Sequence, residues 1–198
     1  YATSFGLNQT TGIEIPESEP EISDEDSVRS AIGQGTNNYT TTQLARYITA
    51  IANKGTVYNL TLLDKVTDVS GQVVEQQEPD ILNNITDVSA GTWSTVQQGM
   101  RAVITSSRTY DVLGDFEMSG KTGTAQQSKT HANHGLFVGF APSSNPEIAF
   151  AIRIKNGYES SYVGQIGRDL VRYYYGLADY SALVTGKAST LSGTVHSD

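Results

Sequence analysis

Apolar residues recur at helical spacing along one stretch of the chain, where Leu44, Ala45, Tyr47, Ile48, Ile51 and Ala52 make a single stripe that Gly55 can stop. Thr40 and Gln43 precede that stripe at the spacing of a capping box, so an amphipathic helix is predicted. Between Leu60 and Glu75 apolar and polar positions alternate around Ser70 and Gly71, the pattern of a hairpin. A second helix is expected from Thr92 to Thr105, with Trp93, Val96, Met100 and Val103 on its buried side.

The pattern then turns to extended segments: Asp115 to Gln126, Gly135 to Ala141, and Glu147 to Lys155, the last two joined by "PSSNP". In the last of these Ile148, Phe150, Ile152 and Ile154 share one face and Ala149, Ala151, Arg153 and Lys155 the other. Ser161 is placed to cap a closing helix whose Val163, Ile166, Leu170 and Tyr173 point inward and which ends at Gly176. The sum is an α+β fold, an antiparallel sheet flanked by helices, over residues 1–176, followed by a small, polar, flexible tail at 177–198.

Composition narrows the choice of partners. With 13 basic and 21 acidic residues the net charge is −8, which repels phosphate backbones, so nucleic acid is not an expected partner. Seven of the acids lie in "EIPESEPEISDED", Glu14 to Asp26, where two prolines favour a solvated loop. There is no cysteine, hence neither a disulfide nor a thiolate metal site. No run approaches the roughly 18 apolar residues that span a bilayer, so any membrane anchor is expected outside this chain.

The candidate chemistry sits in "MSGKTGTAQQ", Met118 to Gln127, which gathers one cation, two hydroxyls and two glycines. A phosphate-binding loop would need a glycine at the position of Asp115, and a helix rather than a strand after the lysine, so that reading fails. As a strand edge the segment works better. Gly123 lets another backbone approach, an extended peptide can pair along the edge, and Lys121, Thr122 and Thr124 can meet its carboxylate while a backbone N–H holds an oxyanion. For an isolated tripeptide the bland alternative, a solvated lysine on a bent strand, would be preferred, and the neighbouring motifs decide.

"SGKTGTAQ" resembles the third signature of the penicillin-binding transpeptidases and serine β-lactamases. "FGLNQTTGIEIPE" at Phe5, "SAIGQG" at Ser30, "TTTQLARYITAIANKG" at Thr40, "GMRAVI" at Gly99 and "HGLFVGFAPSSNPEIAFAI" at His134 follow the pattern of class B penicillin-binding proteins in the same order. The resemblance covers Ser4 to Gly176 and implies the C-terminal part of a transpeptidase domain. It implies that Lys121 keeps the site electropositive and assists proton transfer, that Thr122 and Thr124 bind the terminal carboxylate, that the Thr124 N–H completes an oxyanion hole, and that Gly120 and Gly123 keep the groove open. Gln34 and Gly35, in the "GQG" turn, read as packing.

The family's nucleophile is the serine of S-x-x-K, and no lysine here has a serine three residues before it. Ser143, Ser144 and Asn145 spell the family's S-x-N, but after Lys121 and in a proline-flanked turn, a coincidence. The proline common near Tyr58 to Leu60 and a "GTA" around Ser107 to Thr109 are also missing. The nucleophile half is therefore expected from a preceding segment, and this chain alone is expected to be inactive. The resemblance implies a peptidoglycan D,D-transpeptidase working at the outer face of a bacterial membrane. It would act on D-Ala-D-Ala stem peptides, be acylated by β-lactams, stand beside a membrane glycan polymerase, and need no cofactor. His131 and His134 lack a third ligand for a metal. A β-lactam sensor or β-lactamase of the same superfamily, and a non-catalytic peptide-binding module, stand as the rival readings.

Overall fold

Thr40 takes up extended backbone and closes the predicted capping box with Gln43, opening α2 (Thr41–Ala52); the short α1 (Ser27–Ala31) precedes it. The computed structural model describes residues 1–23, 27–107, 110, 116–125, 131–157 and 160–184. After α2 come β1 (Thr56–Tyr58), β2 (Lys65–Thr67), β3 (Val73–Gln76), β4 (Ile81–Asn84) and α3 (Ala90–Thr105). Then β5 (Ser119–Ala125), β6 (His134–Ala141), β7 (Ile148–Ile154), α4 (Ser160–Tyr174) and the single-turn α5 (Tyr180–Leu183) complete the order.

The three long strands form one antiparallel sheet in the order β5-β6-β7. Because strand side chains alternate, each face has its own core. Val138, Phe140 and Ala149 meet Ile48, Ile51 and Trp93 on the α2 side, while Phe137 and Phe150 meet Val163, Val171 and Met118 on the α4 side. The predicted apolar face of β7, Ile148, Phe150, Ile152 and Ile154, packs into this second core. Asp115 and Gln126, the expected ends of the first strand, lie outside the described residues.

The hairpin forms around Gly71, at φ +86°, but pairs only Lys65–Thr67 with Val73–Gln76. Leu60 lies outside that ribbon and donates its N–H to Thr11 O at 2.8 Å; just before it a second ribbon, β1 with β4, forms, which alternation did not reveal because its partner strand lies beyond the hairpin.

One helix departs in part, and another altogether beyond its first turn, from the inward face that the apolar pattern predicts. In α3 the buried residues are Trp93, Met100 and Ile104, whereas Val96 is exposed and Val103 only half-buried. In α4 they are Val163, Gly164, Gly167 and Val171, and Ile166, Leu170 and Tyr173 are exposed at 45, 39 and 61%. In α4 the cause is the sheet's aromatic rings. A Cβ on Gly167 would lie 2.8 Å from the Phe137 ring, so the helix presents its smallest residues to the largest ones. α4 also begins at Ser160, one residue before the predicted cap. Beyond it, α5 occupies part of the stretch expected as tail, its Tyr180 meeting Tyr173 edge to face at 6.4 Å; residues 185–198 lie outside the described residues.

The acidic loop is not uniformly solvated. Glu17 accepts from Thr11 N at 2.6 Å, Thr11 Oγ1 at 2.7 Å and the Thr40 and Thr42 hydroxyls at the start of α2, and Glu14 accepts from Leu62 N at 2.8 Å. Partial burial pushes the Glu17 carboxyl up, but the bonds from Thr42, Thr11 and Thr40 outweigh it and hold it below its usual range. Arg46, hidden in the apolar stripe of α2, is 1% exposed and donates to Thr10 O at 2.9 Å, Gln9 O at 2.8 Å and Gly6 O. The N-terminal loop thus wraps a buried cation that its own carbonyls solvate.

Candidate active site

β5 owes its position to contacts from three directions. Its backbone pairs with β6 from Ser119↔Phe140 to Ala125↔His134. Arg101 of α3 donates to Met118 O at 3.0 Å just before the strand, and the Ser119 and Ser143 hydroxyls share a bond of 2.8 Å. Ser143 of the "SSN" turn is thereby a structural partner of β5. At the far end Gln34 reaches Thr124 O at 3.5 Å from the "GQG" turn, so its side chain does more than pack within that turn.

Strand alternation separates the three candidate side chains. Lys121 stands opposite Val138 on the α2 face, and Thr122 and Thr124 stand opposite Phe137 and Gly135 on the α4 face. Lys121 is exposed, and its Nζ donates to Thr122 O at 2.9 Å. The Thr124 hydroxyl donates to Ser160 Oγ, at the first turn of α4, at 3.4 Å. Cation and hydroxyls therefore converge only on a group lying along the strand's rim.

That rim is open. Among the described residues β5 pairs with β6 alone. An antiparallel residue directs its N–H and C=O to the same edge, and residues two apart share that edge. The carbonyl of Thr124 receives the Gln34 side chain from outside the sheet and that of Thr122 the side chain of its neighbour Lys121, neither donor coming from β6, so the N–H groups of these two threonines also face away from β6. The edge thus offers two outward amides, two carbonyls, two hydroxyls and an ammonium, a set suited to an extended ligand ending in a carboxylate.

The two glycines of the motif differ. A Cβ on Gly120 would stand 2.4 Å from Phe137 Cζ, so this glycine serves the α4-side core rather than a groove, contrary to expectation. A Cβ on Gly123 would meet Leu136 Cβ at 3.5 Å, an ordinary contact, so nothing within the described structure demands glycine there.

Beside the strand's end a groove of about 1200 Å³ is lined by Gln34, Tyr39, Ala125, His134, Leu136 and Arg153 among others. His134 is buried, and its Nδ1 accepts from Asn156 N at 3.0 Å. Burial, with Arg153 and Lys155 adding to it, pulls its imidazole below the ordinary range, which suits a neutral acceptor. Among the described residues no group of three or more His, Cys, Asp or Glu is placed to hold a metal, and no helix is long and apolar enough to cross a membrane.

Sequence reasoning missed Arg101 and underread Gln34. "GMRAVI" gave Arg101 no partner, because the Met118 carbonyl it holds is reached only through the packing of α3 on β5.

The penicillin binding protein transpeptidase domain matches residues 1–172. Penicillin-binding protein 2A of Bacillus subtilis is 30% identical over 203 residues, 89% of this chain and 28% of that protein. The peptidoglycan D,D-transpeptidase MrdA of Acinetobacter baumannii is 29% identical over 88% of this chain and 30% of its own length. The structure of penicillin-binding protein 2B from Streptococcus pneumoniae R6 superposes with a TM-score of 0.76 at 26% identity, covering 89% of this chain and 32% of that one. The chain thus spans less than a third of the length of these relatives.

Proposed function

Given that the chain belongs to the penicillin-binding protein transpeptidase domain family, of the class B type, we propose that it supplies the substrate-binding edge of a peptidoglycan D,D-transpeptidase. The observation that carries this is the open rim of β5, where Lys121, Thr122 and Thr124 surround outward-facing amides.

An acyl donor lies along the rim as an added strand, its terminal carboxylate against Thr122, Thr124 and Lys121. The Thr124 N–H faces the scissile carbonyl and stabilises the oxyanion; one such donor is worth about a hundredfold or more in rate. Because no lysine of this chain follows a serine at three residues, the attacking serine belongs to another segment of the domain. Its Oγ adds to the penultimate D-Ala carbonyl and its proton passes to a lysine. The C–N bond breaks, the terminal D-Ala leaves as the protonated amine, and an amine of a neighbouring stem then displaces the serine. A β-lactam acylates the same serine, its ring nitrogen being the leaving group. Lys121 stabilises the site's negative charge and assists proton transfer.

The reaction places the enzyme at the outer face of a bacterial membrane, beside a membrane glycan polymerase, and it asks for no cofactor. The test is labelling by a fluorescent penicillin of this chain together with its serine-bearing segment. Covalent labelling of that serine, absent from this chain alone, is expected. An assembled domain that takes up no label would overturn the proposal.

A further inference from the structure

We propose that Gln34 is a placeholder for the acyl donor: its side-chain amide competes with an extended donor for the Thr124 carbonyl and yields it when that donor pairs with β5. This rests on the reading of β5 as the donor-binding edge. The contact joins residues 90 positions apart, and it falls on the rim rather than in a core.

Three observations carry it. First, the Gln34 backbone is fixed on both sides: its N–H donates to Arg29 O at 2.9 Å and its carbonyl accepts from Asn37 Nδ2 at 3.0 Å. Asn37 is itself held, its Oδ1 accepting from Ser23 N at 2.9 Å and Tyr39 Oη at 2.8 Å. Gly33 and Gly35, at φ +77° and +96°, give the turn its left-handed bends on either side of Gln34. The side chain is therefore aimed from a rigid base.

Second, the acceptor it meets is one that a pairing peptide requires. At an outward-facing residue of an edge strand, an antiparallel ligand exchanges two bonds, giving its N–H to the strand's C=O and taking the strand's N–H on its own C=O. The carboxamide of Gln34 is the same kind of donor as the ligand's amide. Third, the bond is long. At 3.5 Å it is weaker than the roughly 2.9 Å bond of a ladder partner, so an incoming amide outcompetes it.

The consequence is selective. A ligand that brings an amide N–H to Thr124 O must displace Gln34, and a ligand without one need not. The test is the acylation rate of the intact transpeptidase domain with a penicillin bearing an acylamino side chain and with a carbapenem bearing hydroxyethyl instead. In Gln34→Ala and Gln34→Met the rate with the penicillin should rise about two- to fivefold, the scale of one solvent-accessible neutral hydrogen bond, with the carbapenem rate unchanged. Equal changes with both compounds, or none with either, would overturn the placeholder role. A parent domain that neither compound acylates would instead overturn the donor-edge reading, and this inference with it.

Discussion

Phe137 lies directly over Gly120, so close that a methyl group on the glycine would stand 2.4 Å from the ring's Cζ. The same ring faces Gly167 of α4, where an added Cβ would come within 2.8 Å. One aromatic side chain thus sets both the glycine at the head of the candidate strand and the residues that the closing helix buries.

Gly120→Ala should therefore destabilise the domain by about 1–3 kcal/mol or more, since neither the strand backbone nor the buried ring can retreat cheaply. Gly123→Ala makes the informative contrast. Its Cβ has room against Leu136, so the unfolding midpoint should stay nearly constant, while acylation by penicillin should fall by about tenfold because the added methyl stands where a donor's backbone approaches the strand. Chemical denaturation and acylation kinetics on the two variants check this; a Gly123→Ala protein that unfolds easily yet acylates normally would reverse the assignment of the two glycines.

Lys121 is exposed and bonds only to the carbonyl of its neighbour among the hydrogen bonds described, so Lys121→Ala should leave stability within about 0.5 kcal/mol of the parent. Its loss should slow acylation by about a hundredfold or more, as removal of a proton-transfer or charge-stabilising group does. Thr124→Val should also slow acylation, with little effect on folding. Thermal unfolding alongside stopped-flow acylation separates the two quantities.

Arg46→Met should cost about 2–4 kcal/mol, because the carbonyls of Gly6, Gln9 and Thr10 lose a charged donor inside the protein. Burial pulls the guanidinium below its ordinary pKa and the charge of Glu17 partly offsets this, yet it stays charged at any working pH. Denaturant titration gives the number, and proteolysis near residues 6–10 should rise in parallel.

Acid should unfasten the Glu17 knot. The carboxyl's folded pKa lies below that of a free carboxyl, so the stability it contributes is complete above the ordinary carboxylate range and disappears as pH falls through the lower, folded value. Glu17→Gln should lose about 1–2 kcal/mol at neutral pH and show a shallower loss of stability in acid. Unfolding midpoints measured from pH 7 down to about pH 3 check the slope.

Much of this architecture is legible in local pattern. The capping box at Thr40, the hairpin turn at Gly71 and the alternating face of β7 are each set by neighbours a few residues apart, where backbone geometry leaves few choices. Periodicity failed where it measured apolarity rather than fit. Ile166, Leu170 and Tyr173 are more apolar than Gly164 and Gly167, but only the glycines leave space for Tyr110 and Phe137. Likewise Arg46 interrupts an apolar stripe and is still buried, because the carbonyls that satisfy it come from a loop more than thirty residues away.

By itself, then, the sequence determined the three long helices, the hairpin and the three strands of the main sheet in their order, and its "KTGT" motif named the residues of the candidate edge, since residue type and short-range spacing suffice for both. Only the tertiary structure decided which face each helix buries, which glycine serves packing, and that Gln34 meets Thr124 across 90 residues. Those outcomes depend on how distant surfaces fill space and pair their polar groups, and such complementarity has no signature in local order along the chain.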